Sequence, residues 1–417
     1  MSLQVWLPLN GDLTQQGLSD IEVTNNNATV SNEGKIGKSY YFNGNKQWLQ
    51  FNDTFKEFYN NDWSFAAWLK PTDSTRSIIL SEYYGSGASN IAIELTAARV
   101  IRVYWAGSPD INFTTAGGLP INTWTHVAIC KKNNHIDLYF NGNLMQSYDG
   151  TLTNHISNCQ PRIGDDYRGN SGNTVSYQGY MNDFRLYDHC LSIKEIKELS
   201  KGLVLHYKLN DLAEEYGNTV FDSSGYNYNG EIIGSLENDG SNRYNYSTKS
   251  TNGANNYIIG PVMPSSIQSY SCWIKGNKSA GFIAFGDSVN ELAFGFVSGN
   301  AYSSCYSGSK QINLFSGTNF INNEWNHIVV INDGTNHRLY INGVETSTIS
   351  SKDNFIHNDN HLYLFRRNYN TNYVFNGNIS DFRAYATILS DDDILELYHT
   401  AASIDNQGNL FCGEVVE

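Results

Sequence analysis

Along "HIDLYFNG", His135 to Gly142, the apolar residues Ile136, Leu138 and Phe140 alternate with Asp137 and Tyr139. A period of two puts the two sets on opposite faces of an extended chain, so the stretch predicts a half-buried strand. The Asn141-Gly142 pair that follows is the best two-residue hairpin turn, because both residues tolerate the positive φ of a type I′ turn. Further on, Leu339 and Ile341 flank Tyr340 in the same way and Asn342-Gly343 follows. The hairpin is written twice.

One offset of 201 links Trp124 with Trp325, His126 with His327, Tyr139 with Tyr340 and Asn141-Gly142 with Asn342-Gly343. Upstream, "IAIEL" at 91–95 matches "LAFGF" at 292–296, and "YWAGSPDIN" at 104–112 matches "CYSGSKQIN" at 305–313, which pairs Trp105 with Tyr306. At the flanks the offset drifts to 205 (Trp68, Trp273) and 198 (Asp183, Asp381), as loop insertions produce. A unit this long is a domain and not a solenoid repeat. The predicted organisation is a domain at 1–200, a second at 201–400 and a C-terminal extension at 401–417. No Pro/Gly/Ser linker separates "IKELSKG" from "LVLHYKL", so the domains are expected close together with restricted relative motion.

Short alternating segments separated by Asn, Gly and Ser, with little helical periodicity, predict an all-β antiparallel sandwich in each half. The exception is "LSIKEIKEL" and its counterpart "LSDDDILELYH", where Ser192 with Glu195 and Ser390 with Asp393 stand at capping-box spacing. A short helix is expected to close each domain. Asp391, Asp392 and Asp393 then read as first-turn residues that complement the helix dipole, and not as metal ligands.

Composition narrows the function classes. The chain is 40% hydrophobic and 13% aromatic, too apolar for disorder. A net charge of −14 without a basic patch excludes nucleic acid as a partner, and no apolar run is long enough to insert in a membrane. The start, "MSLQVWLPLNGDLTQQG", does not read as a secretory signal. Cys130, Cys159, Cys190, Cys272, Cys305 and Cys412 show no paired spacing; in the repeat Cys130 stands against Ile331, Cys272 against Ala67 and Cys305 against Tyr104. They are expected as buried or half-buried thiols, not bridges.

The ordered set Trp124 to Val127, Tyr139 to Gly142, Gly179 to Tyr187 with Leu191-Ser192, repeated as Trp325 to Ile328, Tyr340 to Gly343, Gly377 to Tyr385 with Leu389-Ser390, resembles laminin-G-like, concanavalin A-like jelly-roll domains. The start of the second copy, "LVLHYKLND" then "FDSSGYNYNGE", fits that family, while the first copy lacks the DSSG element. The resemblance implies two curved antiparallel sheets of six or seven strands, stacked face to face, in each domain. The opening "VWLPLNGDL" and the closing "SIDNQGNLFCGEVVE" are also similar to bacteriophage and prophage virion proteins.

Concanavalin A-like hydrolases carry spaced acidic residues on one strand, and no E-x-D-x-(x)-E run occurs here; Glu94 and Glu82 lack such partners. The chain is therefore read as non-enzymatic. His126 and His327 are expected to be hydrogen-bonded structural residues, and Asp183 with Arg185, like Asp381 with Arg383, a same-face ion pair. Calcium is the one cofactor weighed, at Asp165-Asp166 and at Asp222, against the plainer reading of solvated loop carboxylates. Sugar recognition calls for aromatic faces beside amides or guanidinium groups. That pattern marks Tyr104, Trp105, Tyr167 and Arg168 in the first copy and Tyr306, Arg366, Arg367 and Tyr369 in the second. The sequence points to an adhesion protein of a virion, extracellular once released, that binds a surface glycan or glycoprotein, forms a homo-oligomer and contacts neighbouring virion proteins. The alternatives are a purely structural virion or tail protein and a secreted bacterial lectin or glycosidase accessory module.

Overall fold

The computed structural model describes residues 3–414 except 56–57, 83–90, 106–107, 109, 155–158, 168–174, 210–216, 240–246, 252–254, 277–280, 287–290, 298–299, 308–309, 317–322, 351–360, 368–373 and 405–409. The chain folds as two compact units that divide between Ser200 and Lys201.

In unit 1 the first sheet runs Asn143–Asp149, His135–Phe140, Thr125–Lys132, Trp63–Pro71, Gln178–Tyr187, Ser39–Asn43, Thr29–Ser31, and Leu3–Leu7 also pairs with Gln178–Tyr187. The second runs Ile111–Asn112, Ile101–Trp105, Ile91–Leu95, Ser77–Ser81, Arg162–Ile163, Trp48–Phe51, Val23–Asn26. Val127, Ile129, Ile136 and Leu138 from the first sheet join Ile91, Ile93, Val103 and Trp105 from the second in one buried core. Unit 2 repeats the plan with Gly377–Tyr385, Ser269–Gly276, Asn326–Asn332 and Asn336–Ile341 at the centre of its first sheet. The described sheets hold eight and seven strands in unit 1 and eight and eight in unit 2, slightly more than the six or seven implied by the resemblance.

The extra strand has a local cause. Asp183 and Asp381 adopt left-handed backbone (φ 55° and 52°), a conformation that a short polar residue tolerates. Each sits in a bulge. Before it the strand pairs with Ser39–Asn43 (or Ser247–Ser250), and after it with Leu3–Leu7 (or Leu203–Tyr207). The freed carboxylate is then aimed at its neighbours. Asp183 Oδ1 accepts Trp6 Nε1 (2.7 Å) and Arg185 Nε (2.9 Å); Asp381 Oδ1 accepts His206 Nε2 (2.7 Å) and Arg383 Nε (2.8 Å). The same-face ion pairs are present. Burial opposes the Asp381 charge, yet Arg383 and the His206 bond outweigh it and hold the carboxyl well below the usual range.

The hairpin turns form as the Asn-Gly pairs predict, with φ of 47° and 79° at Asn141-Gly142 and 52° and 80° at Asn342-Gly343. Each Asn side chain also accepts the backbone N–H of the paired histidine, at 2.9 Å (His126) and 2.8 Å (His327). Both capping boxes close: Ser192 N donates to Glu195 Oε2 (2.6 Å) and Ser390 N to Asp393 Oδ2 (3.0 Å). They start helices α1 (Ile193–Ser200) and α2 (Asp391–His399), whose Ile196, Leu199, Ile394 and Leu397 are buried. After α2 the strands Thr400–Ile404 and Leu410–Glu414 pair antiparallel.

Two expectations need correction. His126 is buried beside the Trp68 ring (5.2 Å) but neither ring nitrogen has a hydrogen-bond partner among the described residues. In unit 2 Ser271 Oγ lies 2.8 Å from His327 Nε2, whereas Ala66 holds that place in unit 1. The matching of Trp105 with Tyr306 also slips by one residue. Ile91 pairs with Trp105 while its counterpart Leu292 pairs with Cys305, because the hairpin after Phe296 is one residue shorter than that after Leu95. Cys305 therefore takes the place of Trp105.

Candidate functional site

At one end of the unit 1 sandwich the sheets part over a polar cavity of about 480 Å³. Four segments build it: residues 59–62 ahead of the strand Trp63–Pro71, the end of Ile101–Trp105, the end of Thr125–Lys132 with its Asn133-Asn134 turn, and residues 152–154.

Lys131 lines the cavity for a reason visible in its strand. It stands in phase with Val127 and Ile129, so its side chain points inward where the core meets solvent, and only 4% of it is exposed. Its Nζ donates to Asn61 O (2.8 Å) and Asn60 O (3.4 Å) and lies 5.8 Å from the centroid of the Trp105 ring. Burial pulls the Lys131 pKa down, and the nearby Asp62 carboxylate partly restores it. Trp105 is held by its own bond, Nε1 to Thr153 O (2.8 Å), and Asp62 Oδ1 accepts Asn133 N (2.7 Å). Ser108 Oγ accepts Thr153 N (3.1 Å), tying the last segment to the others. The side chains of Asn61, Asn133, Asn134 and Asn154 form an exposed amide rim.

Of the residues marked by sequence, only Trp105 belongs to this pocket, and its role differs from the expectation. At 1% exposure it is a core aromatic whose ring backs Lys131, not an open stacking platform. Tyr104, on the alternate face of the same strand, is half-buried outside the cavity. Tyr167 is elsewhere: its ring covers the Arg162 guanidinium at 3.6 Å, with Trp48 on the same group at 4.2 Å. Tyr104 and Arg162 share one cross-strand row but stand three strands apart, roughly 14 Å. In unit 2 the Arg366 guanidinium lies 4.4 Å over the Tyr257 ring, and Arg367 is buried. The Tyr306 backbone is in the strand Asn300–Ser307; its side chain, and the whole of Arg168 and Tyr369, lie outside the described residues.

The calcium candidates are buried and not solvated loop carboxylates, and among the described residues the oxygens of Asp222 and Asp165 are already taken by hydrogen bonds. Calcium takes six to eight oxygens. Asp222 already accepts His206 N and Ser224 N at 2.9 Å on Oδ1, and Ser224 Oγ (2.7 Å) and Tyr228 N (3.0 Å) on Oδ2, so it organises the Asp-Ser-Ser-Gly turn. Asp165 is fully buried, accepts Asp166 N (2.7 Å) and Ser176 Oγ (2.8 Å), and is pushed up in pKa by burial. Among the described residues no group of three or more His, Cys, Asp or Glu side chains could hold a metal. Glu94, considered above as an acid, is 1% exposed and ion-paired to Arg76 (2.7 Å) and Arg102 (2.5 Å).

Unit 2 carries other chemistry at the equivalent place. Cys305 replaces Trp105 and Asn332 replaces Lys131, with Asn332 Nδ2 3.4 Å from Cys305 Sγ and His337 Nδ1 at 3.6 Å, all buried. The signal that sequence reading missed is the phase of Lys131: a charged residue in step with the buried set of a sandwich strand.

The profile described as the concanavalin A-like lectin/glucanases superfamily matches residues 43–197 and 248–395. No curated protein matches the chain by sequence. Among solved structures, domain 4 of AbnA, a GH43 extracellular arabinanase from Geobacillus stearothermophilus, in complex with arabinotriose, is similar at 20% identity over 48% of this chain and 98% of that one (TM-score 0.39). Trypanosoma rangeli sialidase in complex with the inhibitor DANA is similar at 15% identity over 48% of this chain and 32% of that one (TM-score 0.38). The Ruminococcus gnavus IT-sialidase CBM40 bound to alpha2,3 sialyllactose is similar at 15% identity over 34% of this chain and 82% of that one (TM-score 0.29).

Proposed function

The chain belongs to the concanavalin A-like lectin/glucanases superfamily, and on that premise we propose that it is a non-catalytic carbohydrate-binding protein whose site is the cavity beside Trp105 and Lys131. The observation that carries the reading is the lining itself. Exposed amides around one buried ammonium offer paired donors and acceptors to vicinal hydroxyls, while Leu152 and Trp105 supply apolar wall. The volume lies in the range of small-ligand sites, which suits a terminal sugar. Asp62 is the single carboxylate among the described lining residues, whereas glycoside hydrolysis uses two, so the reading is binding without cleavage.

The surroundings follow from the sequence resemblance of the two chain ends to bacteriophage and prophage virion proteins. We infer an adhesion role on a virion, with several copies converting a weak site into avidity for a surface glycan or glycoprotein. The test is a glycan panel and candidate bacterial cells, probed with the wild type and with Asn61→Ala/Asn154→Ala, each with and without EDTA. Binding weakened at least tenfold in the variant, at unchanged melting temperature and indifferent to EDTA, is the expected result. No binding by the wild type to any glycan or cell would overturn the proposal.

A further inference from the structure

We propose that Cys130 and Cys190 are a built thiol pair that a low-molecular-weight disulfide oxidises to an intramolecular bond, fastening the segment that enters α1 to the strand Thr125–Lys132. The pair lies on the sheet face opposite the cavity. Cys130 stands across from Ser64, and Ser64 Oγ donates to His189 O (2.8 Å) while accepting Leu191 N (2.9 Å), which clamps both neighbours of Cys190 beside it. The two thiols are close enough for each to shift the acidity of the other, and Cys190 Sγ itself donates to Leu191 O (3.7 Å).

Unit 2 shows that this serine clamp is a fixed feature of the scaffold. There Ser269 makes the same two bonds, to Thr387 O (2.8 Å) and from Leu389 N (3.1 Å), and the two positions hold Ile331 and Ile388. The two positions beside the clamp are both cysteine in one copy and both isoleucine in the other. The copies thus differ by a matched pair, which a buried-hydrophobe role for each thiol alone leaves unexplained.

The two thiols have complementary reactivity. Cys190 is half-buried, and the neighbouring Cys130 thiol draws its pKa down to about 7; burial pushes the Cys130 thiol well up. Glutathione disulfide serves as oxidant. The Cys190 thiolate attacks one of its sulfurs, forming a mixed disulfide and expelling one glutathione thiolate. Cys130 then loses its proton, attacks the Cys190 sulfur and expels the second, so that two protein thiols are oxidised and one glutathione disulfide is reduced to two glutathiones.

The test holds the full chain, folded, in glutathione redox buffers at neutral pH, blocks free thiols and reads intact mass and peptide maps. Expected are two fewer blocked thiols than in the reduced chain, reversed by dithiothreitol, a Cys130–Cys190 cross-linked peptide, and a melting temperature higher by about 5–10 °C from closing a loop of about 60 residues. Cys130→Ser should stop at the mixed disulfide, heavier by about 305 Da at Cys190. Cys130→Ile/Cys190→Ile, which copies unit 2, should fold and show neither product. The proposal is overturned if the folded wild type keeps both thiols reduced across the buffer series, halts at the mixed disulfide, or bridges Cys190 to Cys159.

Discussion

Replacing His126 by Phe should remove acid sensitivity from unit 1, and the size of the effect follows from burial. The imidazole is 1% exposed, sits against Trp68 and has no hydrogen-bond partner among the described residues. Desolvation lowers its pKa from 6.5 to about 4, with Asp183 opposing the shift and Arg185 adding to it. As pH falls from 7, the unfolded chain takes up a proton near 6.5 while the folded chain stays neutral until about 4. The unfolded state then binds more protons, so stability is full above 6.5 and drains away as pH drops toward 4. By pH 4.5 the loss amounts to about 2–3 kcal/mol, a large share of a typical domain's stability. The assay is urea unfolding of the full chain at pH 7 and 4.5, with peptide-resolved deuterium pulse labelling reporting on Thr125–Lys132 separately from Asn326–Asn332. In His126→Phe, or His126→Gln should Phe overpack, unit 1 should lose about 2–3 kcal/mol less between the two pH values than the wild type does. Equal losses in wild type and variant would refute the reasoning.

The repeat supplies two further tests. Ser271→Ala takes the hydroxyl from His327 and should cost unit 2 about 1–3 kcal/mol, while Ala66→Ser offers His126 the same partner and should stabilise unit 1 by about 0.5–1.5 kcal/mol; urea midpoints read both. Asn141→Ala removes a side chain suited to left-handed backbone together with its bond to His126 N, so unit 1 should lose about 1–3 kcal/mol in the same measurement.

What was legible in the sequence is what local physics dictates. Alternation, Asn-Gly turns and capping boxes each involve residues a few positions apart, and the strands, hairpins and helices they predict are present. The candidate site was not legible, because its parts come from segments far apart in sequence that share only an end of the sandwich. Trp105 was marked for the wrong reason, as an exposed platform, and Lys131 passed unmarked because a charged residue near a turn usually faces solvent. The one-residue slip shows why. A hairpin shorter by a single residue leaves the fold intact, yet it changes which residue enters the core beside the 131/332 position, so Trp105 with Lys131 becomes Cys305 with Asn332. Comparing copies by sequence letter finds the scaffold they share; comparing them by cross-strand register finds the place where their chemistry parts, and that place in unit 1 is the cavity.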